Sequence, residues 1–312
     1  MASNSVEKIL FGNVCILTAT LFWGVNYPFT KALIPDFMSS EGVAAFRVFG
    51  GCLLFWISSF FVKGDTIEKQ DFLKIIIGGA LGLFGCIYLF VIALDYGSPI
   101  DIAIIMTLQP AFVMLIEVIF LHRRPDLTEY SGLAISFVGA ALVILTSNTG
   151  TSHANNFLLG DFFAVCAGIC FAIYLVILQK PTQKYKPISL LRWVFLFAAL
   201  PALFLVPDLS GMAIWKTDLP VPWLEIAFIV LCPTFFAYLL VQPASRAIGS
   251  VLVALYQYLT PVVAALAAVL MGVDQLRWAQ VVAMLVIIAG MLLTNFGKKR
   301  QKADCSPVPP TK

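Results

Sequence analysis

Charge is scarce in this chain. Asp, Glu, Lys and Arg make up 12% of its 312 residues and hydrophobic types 60%, whereas soluble domains run at about 25% charged and about 45–50% apolar. Half the usual charge cannot cover a water-facing surface of this size, so lipid must be the main solvent. Histidine is scarcer still. His122 and His153 are the two present, in segments predicted on opposite sides of a bilayer, where they cannot share an active site. No Walker loop, HExxH or GxSxG pattern occurs, which argues against ATP-driven pumping and against hydrolysis. Nor do the seven cysteines suggest a disulfide framework. Cys15, Cys52, Cys86, Cys166, Cys170 and Cys232 fall inside apolar runs, where Cys packs as a small hydrophobe. Cys166 and Cys170 are four apart on one helical face, but no His or carboxylate lies within a turn of both. Packing is therefore expected there rather than a metal, and no cofactor is expected anywhere.

Long apolar runs are what the chain does have. A spanning helix needs about 20 mostly apolar residues, and ten such runs are predicted, near 11–33, 42–62, 72–94, 99–121, 128–147, 159–179, 190–206, 222–241, 249–271 and 278–296. The first, after Lys8, continues past Trp23 without a small-residue cleavage pattern, so it reads as a membrane helix and not as a signal peptide. The expected fold class is an all-α polytopic membrane protein, with loops too short for a soluble catalytic domain. Beyond Lys298 a polar tail with Pro307, Pro309 and Pro310 is expected to be disordered. Placing the N terminus in the cytoplasm puts sixteen Lys and Arg on the inner side, among them Lys8, Lys63, Arg123, Lys184, Arg246 and Lys298. It leaves three outside, Lys31, Lys216 and Arg277. This bias predicts that both termini are cytoplasmic.

Sliding the sequence by 151 residues aligns the fourth span with the ninth: Ala93 with Ala244, Ala103 with Ala254, Pro110 with Pro261 and Gly139 with Gly290. The register holds across two helices. An offset of five spans gives each half an odd number, so the halves insert with opposite orientation. Two inverted five-helix repeats, residues 1–150 and 151–297, followed by the tail 298–312, are the predicted domains. Inverted repeats are typical of secondary transporters, with the substrate near the midplane between the repeats.

Pro110 and Pro261 each lie about twelve residues into a span, or roughly 18 Å at helical rise, near mid-bilayer. Each frees a carbonyl four residues earlier, on Met106 and Gln257. Around these breaks cluster Thr107, Gln109, Tyr256, Gln257, Tyr258 and Thr260. A central polar pocket is the favoured reading, and a purely structural kink is the alternative. Trp23, Asn26, Tyr27, Tyr88 and Tyr174 are further candidates for substrate contact, although aromatics near helix ends are often interfacial anchors and a buried Asn can serve as helix–helix glue. Charges inside spans cost at least ~2.5–3.5 kcal/mol each. Arg47, early in the second span, could attract a substrate carboxylate, or else snorkel to the interface or pair with a structural acid. Glu117, near the inner end of the fourth span, is a possible proton carrier, with pairing to a loop cation favoured over that role. Asp95 and Asp101 read as helix-end residues, and Gly78, Gly82 and Gly85 as a close-packing face.

The run Phe22-Trp23-Gly24-Val25-Asn26-Tyr27-Pro28, then Arg47, Ala93-Leu94-Asp95-Tyr96, Pro110, Leu127-Thr128 and Gly132 to Gly139 resembles the EamA-type transporters of the drug/metabolite transporter superfamily. The resemblance covers essentially residues 10–297. It implies a 5+5 helix fold, export of amino acids or related metabolites, and a bacterial inner membrane. One departure stands out. Where many members carry Gly-Glu-Arg before the Leu-Thr pair, this chain has His122-Arg123-Arg124-Pro125-Asp126, so no role of that Glu carries over. The expected function is a secondary exporter working by alternating access, with a small solute and the bilayer as partners and no nucleic acid. A multidrug or nucleotide-sugar carrier is the alternative within transport. An intramembrane enzyme acting on lipid-linked substrates is the alternative outside it.

Overall fold

A computed structural model of the chain describes residues 2–62, 64–122, 125–146, 157–205, 211–248, 253 and 256–304. Lys63, Arg123, Arg124, His153, Ala254 and the tail beyond Asp304 lie outside the described residues, and so do the expectations placed on them. Among the described residues all regular structure is helical. Helix α1 spans Ala2–Leu33 and α2 spans Ser40–Phe61. Helix α3 (Lys69–Ile77) passes through a π-helical stretch, Gly78–Leu83, into α4 (Phe84–Tyr96). Then come α5 (Pro99–Met106), α6 (Gln109–Leu121), α7 (Leu127–Thr146) and α8 (Phe157–Ile177). A short α9 (Gln179–Lys184) leads into α10 (Pro187–Leu205). Helix α11 (Pro220–Ile229) runs through a second π stretch, Val230–Phe236, into α12 (Ala237–Ile248). The last two are α13 (Thr260–Leu270) and α14 (Trp278–Asp304). Helix thus continues past Lys298, where a disordered tail was expected, because nothing before Pro307 breaks it.

Seven of these runs are long and apolar enough to cross a membrane: Glu7–Leu33, Ser40–Phe61, Lys69–Tyr96, Pro99–Phe120, Leu127–Thr146, Phe157–Ile177 and Pro220–Ile248. Pro187–Leu203, Thr260–Leu270 and Trp278–Thr294 are shorter apolar helices. The outer surface is oily. Phe60, Phe61, Leu270 and Trp278 are each more than three-quarters exposed, as suits side chains that meet lipid rather than water.

Local signals set the helix ends. The Ser39 hydroxyl accepts the Gly42 N–H at 3.0 Å and starts α2. Ser98 does the same for Asp101 N–H at 3.2 Å, with Pro99 in the first turn of α5. Helices α7 and α14 open with matching boxes, in which Glu129 accepts from Asp126 N–H at 3.3 Å and Gln280 from Arg277 N–H at 2.7 Å. His122, with φ of 49°, closes α6 in the left-handed region.

Small residues bring the helices close. A Cβ at Gly78 would lie 2.8 Å from Leu178, one at Gly82 would lie 2.7 Å from Tyr174, and one at Gly85 would lie 3.0 Å from Cys170 Sγ. All three glycines therefore face one ridge of α8. Helices α7 and α14 are similarly tight, with Gly132 against Gly290 and Gly139 against Ile287.

Candidate functional site: a central cavity between broken helices

The helix break before each central proline forms the floor of a cavity. Helix α5 stops at Met106, and Thr107 N–H and Leu108 N–H turn back to Ile104 and Ile105 carbonyls at 3.1 and 3.0 Å. Leu108 then accepts from Ala111 and Phe112, restarting the helix as α6. The other break is alike: Leu259 N–H reaches Tyr256 C=O at 3.0 Å, and Val263 N–H returns to Leu259 at 3.0 Å. Leu108 and Leu259 share the same backbone conformation, φ/ψ of −75/−2° and −77/−20°.

The cavity has an empty volume of about 760 Å³, a figure that includes space open to solvent. Asn26, Tyr27, Arg47, Thr107, Gln109, Pro110, Gln257 and Tyr258 all line it. So do Trp23 and Thr260, together with residues the sequence did not flag: Cys86, Phe90, Phe171 and Tyr238. Four lining pairs are 151 residues apart: Ile87 and Tyr238, Met106 and Gln257, Thr107 and Tyr258, Gln109 and Thr260. That offset could have found Tyr238 from Ile87.

Five of the expected site residues do not line the cavity. Tyr256 turns away, and its hydroxyl donates to Asn13 Oδ1 at 3.0 Å beside a small satellite core of Cys15, Ile16, Ala244 and Val253. Tyr88 stacks on Phe84 with centroids 5.6 Å apart. Tyr174 stands one layer out, stacked on Phe171 at 5.4 Å and edge-on to Tyr238 at 6.3 Å. Glu117 is buried on α6 and is also absent from the lining. Pro261 is buried at the start of α13, behind the wall that Thr260 forms.

Arg47 is the charge of the site. It is 5% exposed. Its Nε donates to Thr234 Oγ1 at 3.2 Å, and that hydroxyl in turn donates to the Ile229 carbonyl at 2.8 Å within the second π stretch. The guanidinium lies 5.5 Å from the Phe90 ring centre, a cation–π distance. The buried Nη1 meets no acceptor among the described residues. Trp23 Nε1–H donates to the Pro233 carbonyl at 3.1 Å, tying α1 to the same π stretch. Asn26 Oδ1 accepts from Thr30 at 3.3 Å, and Tyr27 packs edge-on against Phe90 at 5.0 Å.

Polar seams lie at the two ends of the bundle. At the end bearing the N terminus, Asp71 accepts from Tyr185 (2.8 Å), Lys184 (3.0 Å) and Lys74 (3.1 Å). Lys184 also pairs with Glu68 at 2.7 Å. At the other end Asp101 stands in the first turn of α5, a helix-end residue as expected, and is buried there. It is 1% exposed, bonded to Arg277 Nη2 and Gln280 Nε2, each at 2.8 Å. Close by, Ser98 bonds Asp274, and Lys31 Nζ donates to the Leu94 and Asp95 carbonyls at 2.6 and 3.0 Å.

Comparison with known proteins places this geometry. The EamA-like transporter family matches residues 10–145 and 158–296. The chain is 25% identical over 285 residues to an uncharacterized transporter, YyaM, of Bacillus subtilis, covering 90% of this chain and 92% of that protein. It is 27% identical over 230 residues to an uncharacterized transporter of Archaeoglobus fulgidus, covering 72% and 77% respectively. A WAT1-related protein of Arabidopsis thaliana is 24% identical over 220 residues, covering 63% and 58%. A solved crystal structure superposes with a TM-score of 0.61 at 17% identity, covering 95% of this chain and 99% of that one, a likeness of fold.

Proposed function

This chain belongs to the EamA-like transporter family, and from that premise we propose that it is a secondary carrier exporting small metabolites by alternating access. It is an integral membrane transporter. The finer reading takes amino acids or related compounds as its substrates and the cavity between the two broken helices as its site. Ten crossings with both termini in the cytoplasm of a bacterial cell would set the halves in opposite orientation. Support for that arrangement comes from the 151-residue offset, which relates the two breaks, four lining pairs and the paired helix-start boxes. The two π stretches stand at nearly the same offset.

The observation that carries the reading is the cavity itself, buried among helices of both halves and lined by amides, hydroxyls, aromatic rings and one cation. Irregular backbone at membrane depth is tolerated where it faces protein or a wet cavity, and both breaks do so here. A nucleotide-sugar is disfavoured, since Arg47 is the one cationic residue among the described lining and a diphosphate calls for more.

The test is uptake into proteoliposomes against a panel of labelled amino acids and unrelated metabolites. Saturable, protein-dependent uptake of one class, lost in Gln257→Ala while the protein stays folded, is the expected result. Absence of uptake for every panel member, with and without a pH gradient, would remove the amino-acid class from the proposal.

A further inference from the structure

The cavity's charge is lopsided. Arg47 is its one ionisable residue of the Asp, Glu, His, Lys and Arg types among the described lining. Its Nε is used by Thr234, one face of its plane is turned to Phe90, and its buried Nη1 has no acceptor among the described residues. The salt bridges described lie at the two ends of the bundle and none includes Arg47. A guanidinium held away from water is strongly penalised unless an anion pairs with it. No side chain described here supplies that anion, so a cavity occupant is the natural source.

The same lopsidedness bears on what else the occupant carries. A free ammonium would be a second positive charge near Arg47 in a medium that screens poorly, with no carboxylate among the described lining to receive it. The remaining walls favour an apolar body. Trp23, Tyr27, Phe90, Phe171, Tyr238 and Tyr258 present rings, and the Tyr27–Phe90 and Trp23–Tyr238 pairs are already edge-on, an arrangement that a further ring can extend.

We propose that the substrates of this site are small organic monoanions: one carboxylate on an apolar, ring-bearing body, without a free ammonium. N-acylated and deaminated amino acids have this form. The assignment rests on the carrier reading of the same cavity; of the amino acids and related compounds proposed there it keeps the related compounds and drops the free amino acids. Arg47 takes the carboxylate at the part of its guanidinium that lines the cavity, Thr234 fixes the guanidinium from behind, and the amides of Asn26 and Gln257 are left to orient neutral polar atoms.

A matched series tests it: 3-phenylpropionate, N-acetylphenylalanine, phenylalanine and 2-phenylethylamine share a body and differ in charge. Binding is measured by calorimetry on the full chain in nanodiscs, and transport by counterflow in proteoliposomes. The two monoanions should bind at least about tenfold more tightly than phenylalanine or the amine, the scale of one charge-assisted hydrogen bond. Arg47→Gln should erase the preference, and Arg47→Lys should keep part of it, as a point charge without the planar fork. Phenylalanine binding as tightly as the monoanions, a preference that survives Arg47→Gln, or no binding of any of the four would overturn the assignment. If Arg47→Gln does not fold, the wild-type ranking and Arg47→Lys decide. Monoanion binding without counterflow would uphold the class and sink the carrier reading, whereas counterflow of phenylalanine without preference would do the reverse.

Discussion

Asp101 and Arg277 make an unequal pair, and the inequality has a measurable consequence. The carboxylate is 1% exposed while the guanidinium is 28% exposed. Replacing Arg277 by Met strips the buried carboxylate of its counter-charge and leaves it the Gln280 amide alone. Stranding a buried charge in this way costs about 3–5 kcal/mol. Replacing Asp101 by Asn is milder. Arg277 still donates to the Thr146 carbonyl at 2.9 Å, can turn to solvent, and keeps an oxygen to approach on the new amide, so the loss is that of one charge-assisted bond, about 1.5–3 kcal/mol. The double variant holds neither charge and should be more stable than Arg277→Met alone, a coupling typical of residues in direct contact. Titration with SDS in mixed micelles, followed by tryptophan fluorescence, would rank the three. The reasoning fails if Asp101→Asn costs as much as Arg277→Met, or if the double variant costs the sum of the two.

At Gly82 a new Cβ would meet Tyr174 Cβ, Cα and N at 2.7, 2.8 and 2.9 Å, whereas at Gly85 it would meet Cys170 Sγ at 3.0 Å. Gly82→Ala should therefore cost about 1–3 kcal/mol by overpacking against backbone, and Gly85→Ala less; equal costs in the same titration would contradict the close approach. The Lys184 hydrogen bond holds Glu68 below the usual carboxylate range, and Glu68 in turn holds Lys184 above that of an ordinary amine. A depressed carboxylate stabilises above its unfolded value and loses that effect as pH falls through the folded one. The small stability difference between wild type and Glu68→Gln should thus be present at pH 7, fade below about pH 4 and shrink with added salt. A difference that grew on acidification would refute the pairing.

The membrane character, the family and both helix breaks were legible in the sequence, because apolar runs and prolines act locally and leave a direct mark. The facing of side chains was less so. Tyr256, Gln257 and Tyr258 are consecutive, and successive helical residues point about 100° apart. An amphipathic pattern would normally tell which of them faces inward, but a broken helix surrounded by other helices carries no such pattern. Hence Gln257 and Tyr258 reach the cavity while Tyr256 binds Asn13. Phe90, Phe171 and Cys86 were missed for a related reason: in an apolar span an aromatic ring or thiol looks the same whether it meets lipid, a neighbouring helix or a substrate. Asp101 was placed correctly at a helix end, but its partners went unseen because they are 176 and 179 residues away. The π stretches were not foreseen, although Gly78, Gly79 and Gly82 lie in the first and Pro233 in the second.

The repeat offset also exposes where the two ends differ, and this bears on the transport cycle. Adding 151 to Asp101 gives Leu252, and subtracting it from Arg277 gives Asp126. The buried ion pair that joins α5 to the start of α14 therefore has no ionic counterpart in the sequence at the symmetry-related position of the other end. That end is instead tied by Asp71 to Tyr185 and Lys184, between α3 and the α9–α10 corner, and position 151 beyond Asp71 is Pro222. If the chain works by alternating access between inverted halves, as proposed above, each end must open in turn, at costs close enough that neither state is a trap. Here the two seams are built from different residues. Both hold a buried carboxylate, with Asp71 at 8% and Asp101 at 1% side-chain exposure, but Lys184 and Lys74 are 40% and 45% exposed against 28% for Arg277, so solvent and salt screen the Asp71 seam more. Ionic strength should therefore weaken the Asp71 seam more than the Asp101 seam and shift the population toward the state open at the end that bears the N terminus.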